Sequence, residues 1–146
     1  MKVLVTGANG MLGQDLCPIL EDAGCYVIQT DYETLDVTDN TAADNFISKT
    51  HPDLIIHCAA YTNVDKAESD IEKATLLNAK GTENMALAAS KIDVPIIYIS
   101  TDYVFDGTKN TPYLPDDAPN PKSIYGKTKY EGELAIKKHC KKYWLC

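Results

Sequence analysis

Three glycines at intervals of three, Gly7-Ala-Asn-Gly10-Met-Leu-Gly13, follow the apolar run Lys2-Val-Leu-Val-Thr6 and precede a segment of helical period. Few backbones satisfy that order. A short strand, a turn bare of side chains at its tight points and a helix opening on the turn make the first βα unit of a doubly wound sheet. The first glycine permits the bend, the second lets the backbone approach a pyrophosphate, and the third lets helix pack close on sheet. The helix start offers free N–H groups and a positive dipole end to phosphates. Gly7, Asn9, Gly10, Met11, Leu12 and Gly13 are therefore expected to bind a dinucleotide.

The rest of the chain agrees with an α/β fold, a mainly parallel, doubly wound Rossmann-like sheet, because short apolar runs alternate with helical segments. A helix is expected over Met11–Ala23, closed by Gly24, then a strand over Tyr26–Thr30 ending at Asp31. A short third strand is expected around Thr34–Asp36. Thr38 or Asp39 caps a helix to about Thr50. Asp53–His57 is a buried strand, Asp70–Lys91 a long helix, and Pro95–Ser100 the next strand. Asp106–Lys122, with Pro112, Pro115, Pro119, Pro121 and Gly107, is a long surface loop. A helix over Ser123–His139 follows. Tyr143–Cys146 opens another strand at which the sequence stops, so the chain is expected to be part of a longer protein.

Composition narrows the classes. The 146 residues, 45% hydrophobic and 24% charged, suit one soluble domain. The net charge is -7 and every one of the 14 basic residues is lysine, which argues against a nucleic-acid partner. Five cysteines without Cys-x-x-Cys spacing fit free thiols in a reduced, cytoplasmic compartment. The N-terminus enters a strand at once, without a signal peptide's apolar core, and no run is long enough for a membrane span. No metal constellation is present. His57, alone in an apolar run, is expected to be a satisfied core histidine, and His51 and His139 surface residues. Lys137, Lys138, Lys141 and Lys142 read as solvated surface near a helix C-terminus.

Asp31 ends the second strand, where an acidic side chain accepts a hydrogen bond from the adenosine ribose. It would repel a 2′-phosphate, and the chain has no arginine to hold one. The expected cofactor is NAD(H) or NADP(H), with NAD(H) favoured. Asp36 and Val37 either hold the adenine edge or form a plain strand-to-helix turn. Cys58, Ala59 and Ala60 follow the buried strand at its carboxyl end, and their small side chains let a cofactor pass close to the backbone.

Tyr125-Gly-Lys-Thr-Lys129 places a phenol and an ammonium one helical turn apart on one face. A neighbouring cation favours the phenolate, so Lys129 is expected to lower the Tyr125 pKa. Ser100 and Thr101 end a strand at the same sheet edge. Thr101, Tyr125 and Lys129 can then meet at one ketone oxygen, with Tyr125 as proton donor to a carbonyl that receives hydride.

Together the blocks Gly7–Gly13, Cys58-Ala-Ala-Tyr-Thr-Asn-Val-Asp-Lys-Ala-Glu68, Ser100-Thr-Asp-Tyr-Val-Phe-Asp-Gly107 and Tyr125–Lys129 resemble the extended short-chain dehydrogenase/reductase family. Within it they are most similar to the dTDP-4-dehydrorhamnose reductase branch. The resemblance implies NAD(P)-dependent reduction of a 4-keto-6-deoxy nucleotide sugar, with Thr101, Tyr125 and Lys129 catalytic. It implies cofactor contacts from Tyr61, Asn78 and Ser100, with Asn78 as a helix asparagine that supports the active site, and sugar contacts from Thr62, Val64, Asp65 and Tyr103. A homodimer is an assembly it admits. The related dehydratases place Asp-Glu after the catalytic threonine, whereas here Tyr103 follows Asp102, which argues against water elimination. Nucleotide-sugar epimerases differ around that threonine. A non-catalytic role stays open, since the regulatory beta subunit of methionine adenosyltransferase resembles the same family. Family members run about twice as long, so residues 1–146 are expected to be the cofactor-binding half, with most of the substrate domain elsewhere. This chain alone is expected to bind NAD(H) weakly and turn over little.

Overall fold

The computed structural model describes all 146 residues. Its elements run β1 (Lys2–Thr6), α1 (Met11–Asp22), β2 (Tyr26–Thr30), α2 (Asn40–Thr50), β3 (Leu54–His57), α3 (Val64–Ala67) and α4 (Ile71–Thr75). A π-helical segment (Leu76–Gly81) leads into α5 (Thr82–Lys91), followed by β4 (Ile96–Tyr98), a 3-10 turn (Asp102–Val104), α6 (Ile124–His139) and β5 (Tyr143–Leu145).

All five strands are parallel, in the order β2-β1-β3-β4-β5. This is the expected doubly wound, Rossmann-like α/β sheet. The chain steps outward from β1 to β2, then crosses back to β3 on the other side. That reversal leaves a crevice at the carboxyl ends of β1 and β3, where open sheets of this kind hold ligands.

Side chains alternate across the strands and so build two cores. Leu4, Ile55 and Ile96 join Ala43 and Ile47 of α2, Met85 of α5 and Ile136 of α6 on one face. Val3, Val5 and Ile56 meet Cys17 of α1 on the other. All five cysteines are free. No helix is long and apolar enough to cross a membrane.

Two element assignments change. The strand expected at Thr34–Asp36 is a turn: Asp31 O accepts the N–H groups of Thr34 and Leu35 at 2.9 and 2.8 Å. Asp36 Oδ1 takes the Thr38 N–H and hydroxyl at 2.9 and 2.6 Å. Local side-chain bonds of this kind compete with sheet ladders, and here they win. Asp39 is the cap of α2, accepting from the N–H groups of Thr41 and Ala42. The long helix from Asp70 is helical throughout but carries the π segment at its middle.

His57 is the expected core histidine, 1% exposed. Its Nδ1 lies 2.7 Å from the Thr6 hydroxyl and its Nε2 3.2 Å from that of Thr82. Burial, and then the nearby Lys129 ammonium, push its pKa from 6.5 down to about 3. An unfolded chain takes up this proton near the ordinary value while the folded one refuses it. Folding stability is therefore full above pH 6.5 and is lost as pH falls toward 3. We expect a loss on the order of a few kcal/mol between about pH 7 and about pH 4 from this group, checked by urea unfolding. His57→Gln should flatten that slope. His139 is half-buried rather than on the surface, its Nε2 3.5 Å from Glu83 Oε1.

Candidate active site

The turn after β1 is built by Gly7. Its φ of +66° lies in the left-handed region, and a Cβ there would sit 2.8 Å from the Ala59 backbone. The loop ends of β1 and β3 can approach this closely only because that side chain is absent. Gly10 N–H bonds to Gly7 O at 3.0 Å, and α1 begins with Gly10 as a cap that offers no side-chain bond. The first N–H groups of α1 are thus left for a ligand or water. Asp31 faces the same turn, its Oδ2 accepting from the Asn9 N–H at 3.0 Å.

The crevice continues from this turn across Cys58, Ala59 and Ala60 to Tyr125 and Lys129. Gly7, Gly10, Met11, Leu12, Gly13, Asp31, Asp36, Val37, Ser100 and Thr62 also line it. Asn9 instead lines a neighbouring depression beside Asp31. Tyr32, Leu35, Leu77 and Ile99 line the crevice too, without having been singled out from the sequence. Leu35 was hidden by the strand wrongly expected at Thr34–Asp36.

Asn78, expected at the cofactor, does not line the crevice and is fully buried behind it. Its Oδ1 accepts the Tyr61 N–H at 2.7 Å, and its Nδ2 donates to Tyr61 O and Thr128 Oγ1, each at 3.1 Å. It clamps the loop after β3 to α6. Tyr61 likewise lies off the crevice, with its phenol 3.4 Å from Asp70 Oδ2. Glu68 ties the same stretch to α6 from the other side, its Oε1 accepting the Ile124 N–H at 2.7 Å. Beside it Ser123 caps α6 through the Gly126 N–H. The Glu68 tie was not visible in one-dimensional spacing.

Tyr125 packs with Ala67 and Ala74, with Val64 and Ile124 alongside. The Tyr103 ring meets it edge-on at 5.6 Å. Thr101 Oγ1 accepts the Tyr103 N–H at 3.2 Å and lines the adjoining depression together with Asp102, while Ser100 lines both. Asp65 and Thr62 are exposed.

The electrostatics depart from expectation at Tyr125. Its pKa is raised, by burial first, while a hydrogen bond with Thr101 works the other way and Asp102 and Tyr103 add to the rise. Lys129 does not lower it. The Lys129 ammonium is turned inward, donating to Ile99 O at 2.6 Å and lying 4.1 Å from the centre of the Tyr98 ring. Burial brings the Lys129 pKa down from 10.5 to about 8, against the pull of Glu133.

Across residues 1–146 the sequence matches the family described as the RmlD substrate binding domain. The chain belongs to that family. It is 41% identical over 136 residues to dTDP-4-dehydrorhamnose reductase of Aggregatibacter actinomycetemcomitans, taking in 92% of this chain and 46% of that protein. It is also 41% identical over 142 residues to methionine adenosyltransferase 2 subunit beta of Xenopus tropicalis, taking in 92% and 42%. The crystal structure of the Bacillus anthracis dTDP-4-dehydrorhamnose reductase in complex with NADP superposes with a TM-score of 0.96 at 39% identity. That match covers 99% of this chain and 51% of the other. The chain therefore spans about half the length of the RmlD-family relatives it matches.

Proposed function

We propose that residues 1–146 are the dinucleotide-binding part of a reductase that converts a 4-keto-6-deoxy nucleotide sugar, dTDP-4-dehydrorhamnose, to dTDP-L-rhamnose. Most of the sugar-nucleotide site would lie outside these residues. One observation carries the reading: Tyr125 and Lys129 line the same crevice as the glycine turn and Asp31. The residues fit a dinucleotide. Gly7 lets the loop ends after β1 and β3 close together as one wall of the crevice, and the uncapped start of α1 suits a pyrophosphate.

A bound reduced nicotinamide supplies the hydride. The Tyr125 hydroxyl gives its proton to the carbonyl oxygen as negative charge develops there, and water later restores it. The raised pKa of Tyr125 suits this direction, because the phenol stays protonated until the oxygen gains charge. Thr101, which works against the rise in the Tyr125 pKa and whose hydroxyl otherwise bonds Asp102 Oδ1 at 3.3 Å, would donate to the same oxygen. Lys129, its ammonium held by Ile99 O, lines the crevice beside Tyr125 as a positive charge available to the cofactor.

The test is consumption of NADH or NADPH with dTDP-4-dehydrorhamnose, in the 146-residue chain and in any longer product its gene encodes. We expect weak dinucleotide binding in the short chain and turnover in the longer one. Binding without turnover of any keto sugar, together with co-purification of a synthetase, would move the assignment to a regulatory subunit. The 41% identity to such a subunit makes that second reading specific.

We further propose NADH as the preferred cofactor, since Asp31 lines the crevice beside the glycine turn, where it would meet the adenosine ribose, and the chain has no arginine. Asp31→Ser should improve NADPH binding relative to NADH about tenfold, the effect of relieving ~1.4 kcal/mol of like-charge repulsion. Fluorescence titration of both cofactors measures it, and a wild-type preference for NADPH would sink the proposal.

A further inference from the structure

Below Tyr125 and Lys129 on the same face of α6 stand Glu133 and Lys137, each a further four residues on. Glu133 is only 7% exposed. One carboxylate oxygen accepts the Ser100 hydroxyl at 2.5 Å, and the other lies 3.5 Å from the Lys137 ammonium. It therefore bridges the carboxyl edge of β4 to the helix that carries the proton donor.

We infer that Glu133 is a positioning residue for the reaction centre, fixing Ser100 at the crevice wall and supplying the negative charge that keeps Lys129 an ammonium. The inference rests on the reductase reading for its consequence in turnover, but not for its electrostatics.

Among the groups that face Lys129, Glu133 raises its proton affinity most and Cys58 adds less. From β3 comes His57, whose pKa is pushed down to about 3 by burial, and from just after it Cys58, whose thiol burial pushes up to about 11. From β4 comes Tyr98, whose phenol is raised by burial and then further by Glu133. Tyr125, on α6 itself, is also raised. None of these four carries charge near pH 8, and burial alone pushes Lys129 toward neutrality. Glu133 is the carboxylate that opposes it. Lys137 lies on the far side of Glu133 and is solvated, with 43% of its side chain exposed.

The experiment follows the Cε–Hε resonance of Lys129 by NMR in lysine-labelled protein without cofactor, assigned by its loss in Lys129→Met. In the unsubstituted chain the titration midpoint is expected at about 8. Glu133→Gln should lower it by about one pH unit, a tenfold change in proton affinity. Glu133→Asp, which keeps the charge, should restore most of the shift. Ser100→Ala, which also keeps the charge, should leave the midpoint in place. An unmoved midpoint in Glu133→Gln overturns the inference. So does an equal shift in Ser100→Ala, which would make packing the cause. Should Glu133→Gln fail to fold, the Asp and Ala variants decide between charge and packing by the same signal. In protein that turns over keto sugar, the fall in rate above about pH 8 should begin about one unit earlier in Glu133→Gln. Absence of turnover in every variant would sink the reductase reading and leave the titration result standing.

Discussion

Tyr125→Phe is expected to lower the rate of keto-sugar reduction by about a hundred- to ten-thousand-fold, the usual contribution of a positioned acid. The substitution removes one oxygen and keeps the ring. Tyr125 packs through that ring against Ala67, Ala74 and the edge of Tyr103, so those contacts persist. Unfolding free energy should change by less than about 1 kcal/mol, and dinucleotide affinity should hold. The rate loss should therefore fall in kcat, as for a group whose interaction matters only in the transition state. Stopped-flow hydride transfer compared with cofactor titration separates the two quantities. A variant that keeps its rate within a few-fold would remove Tyr125 from the mechanism.

Gly7→Val should damage folding and binding together. At φ +66° a side chain costs roughly 1–2 kcal/mol from backbone sterics alone. Its Cβ would also stand 2.8 Å from the N and Cα of Ala59, which are main-chain atoms that cannot swing away. Overpacking of this kind adds about 1–3 kcal/mol. A loss of roughly 3 kcal/mol or more, against a total of about 5–15 kcal/mol, lowers the melting temperature by on the order of 10 °C. Gly24→Ala separates the two causes. Gly24 has φ +80° but nothing within 4 Å of its Cβ position, so it should show the dihedral cost only. Equal losses at the two sites would refute the close approach to Ala59. Cofactor affinity should fall in Gly7→Val and hold in Gly24→Ala, since Gly7 lines the crevice and Gly24 does not.

Much of the fold was legible because it rests on short-range rules. Val3, Leu4 and Val5 alternate between two cores, as period two requires. The glycine turn announces its own geometry, and Ser123 caps α6 at the position where the helix was expected to begin. The one strand that failed, at Thr34–Asp36, has β-compatible residues whose side chains found nearer partners. Leu35 is buried there without joining the sheet.

At the candidate site, residue identity was legible and electrostatics was not. Spacing put Tyr125 and Lys129 on one helix face and in one crevice. It suggested that the cation would act on the phenol, but the Lys129 ammonium is drawn inward to Ile99 O and the Tyr98 ring. Those partners lie thirty and thirty-one residues away, beyond any local pattern. Glu68 and Glu133 were invisible as clamps for the same reason, each acting on an element distant in sequence.

By itself, then, the sequence determined the order of strands and helices, the glycine turn and the residues available for proton transfer, because dihedral preference and periodicity act between near neighbours. The tertiary structure decided which of those groups face the crevice, how far burial moves their proton affinities, and that Glu133 opposes the loss of the Lys129 proton. Desolvation and Coulomb energy depend on distances through space, and only folding sets those distances.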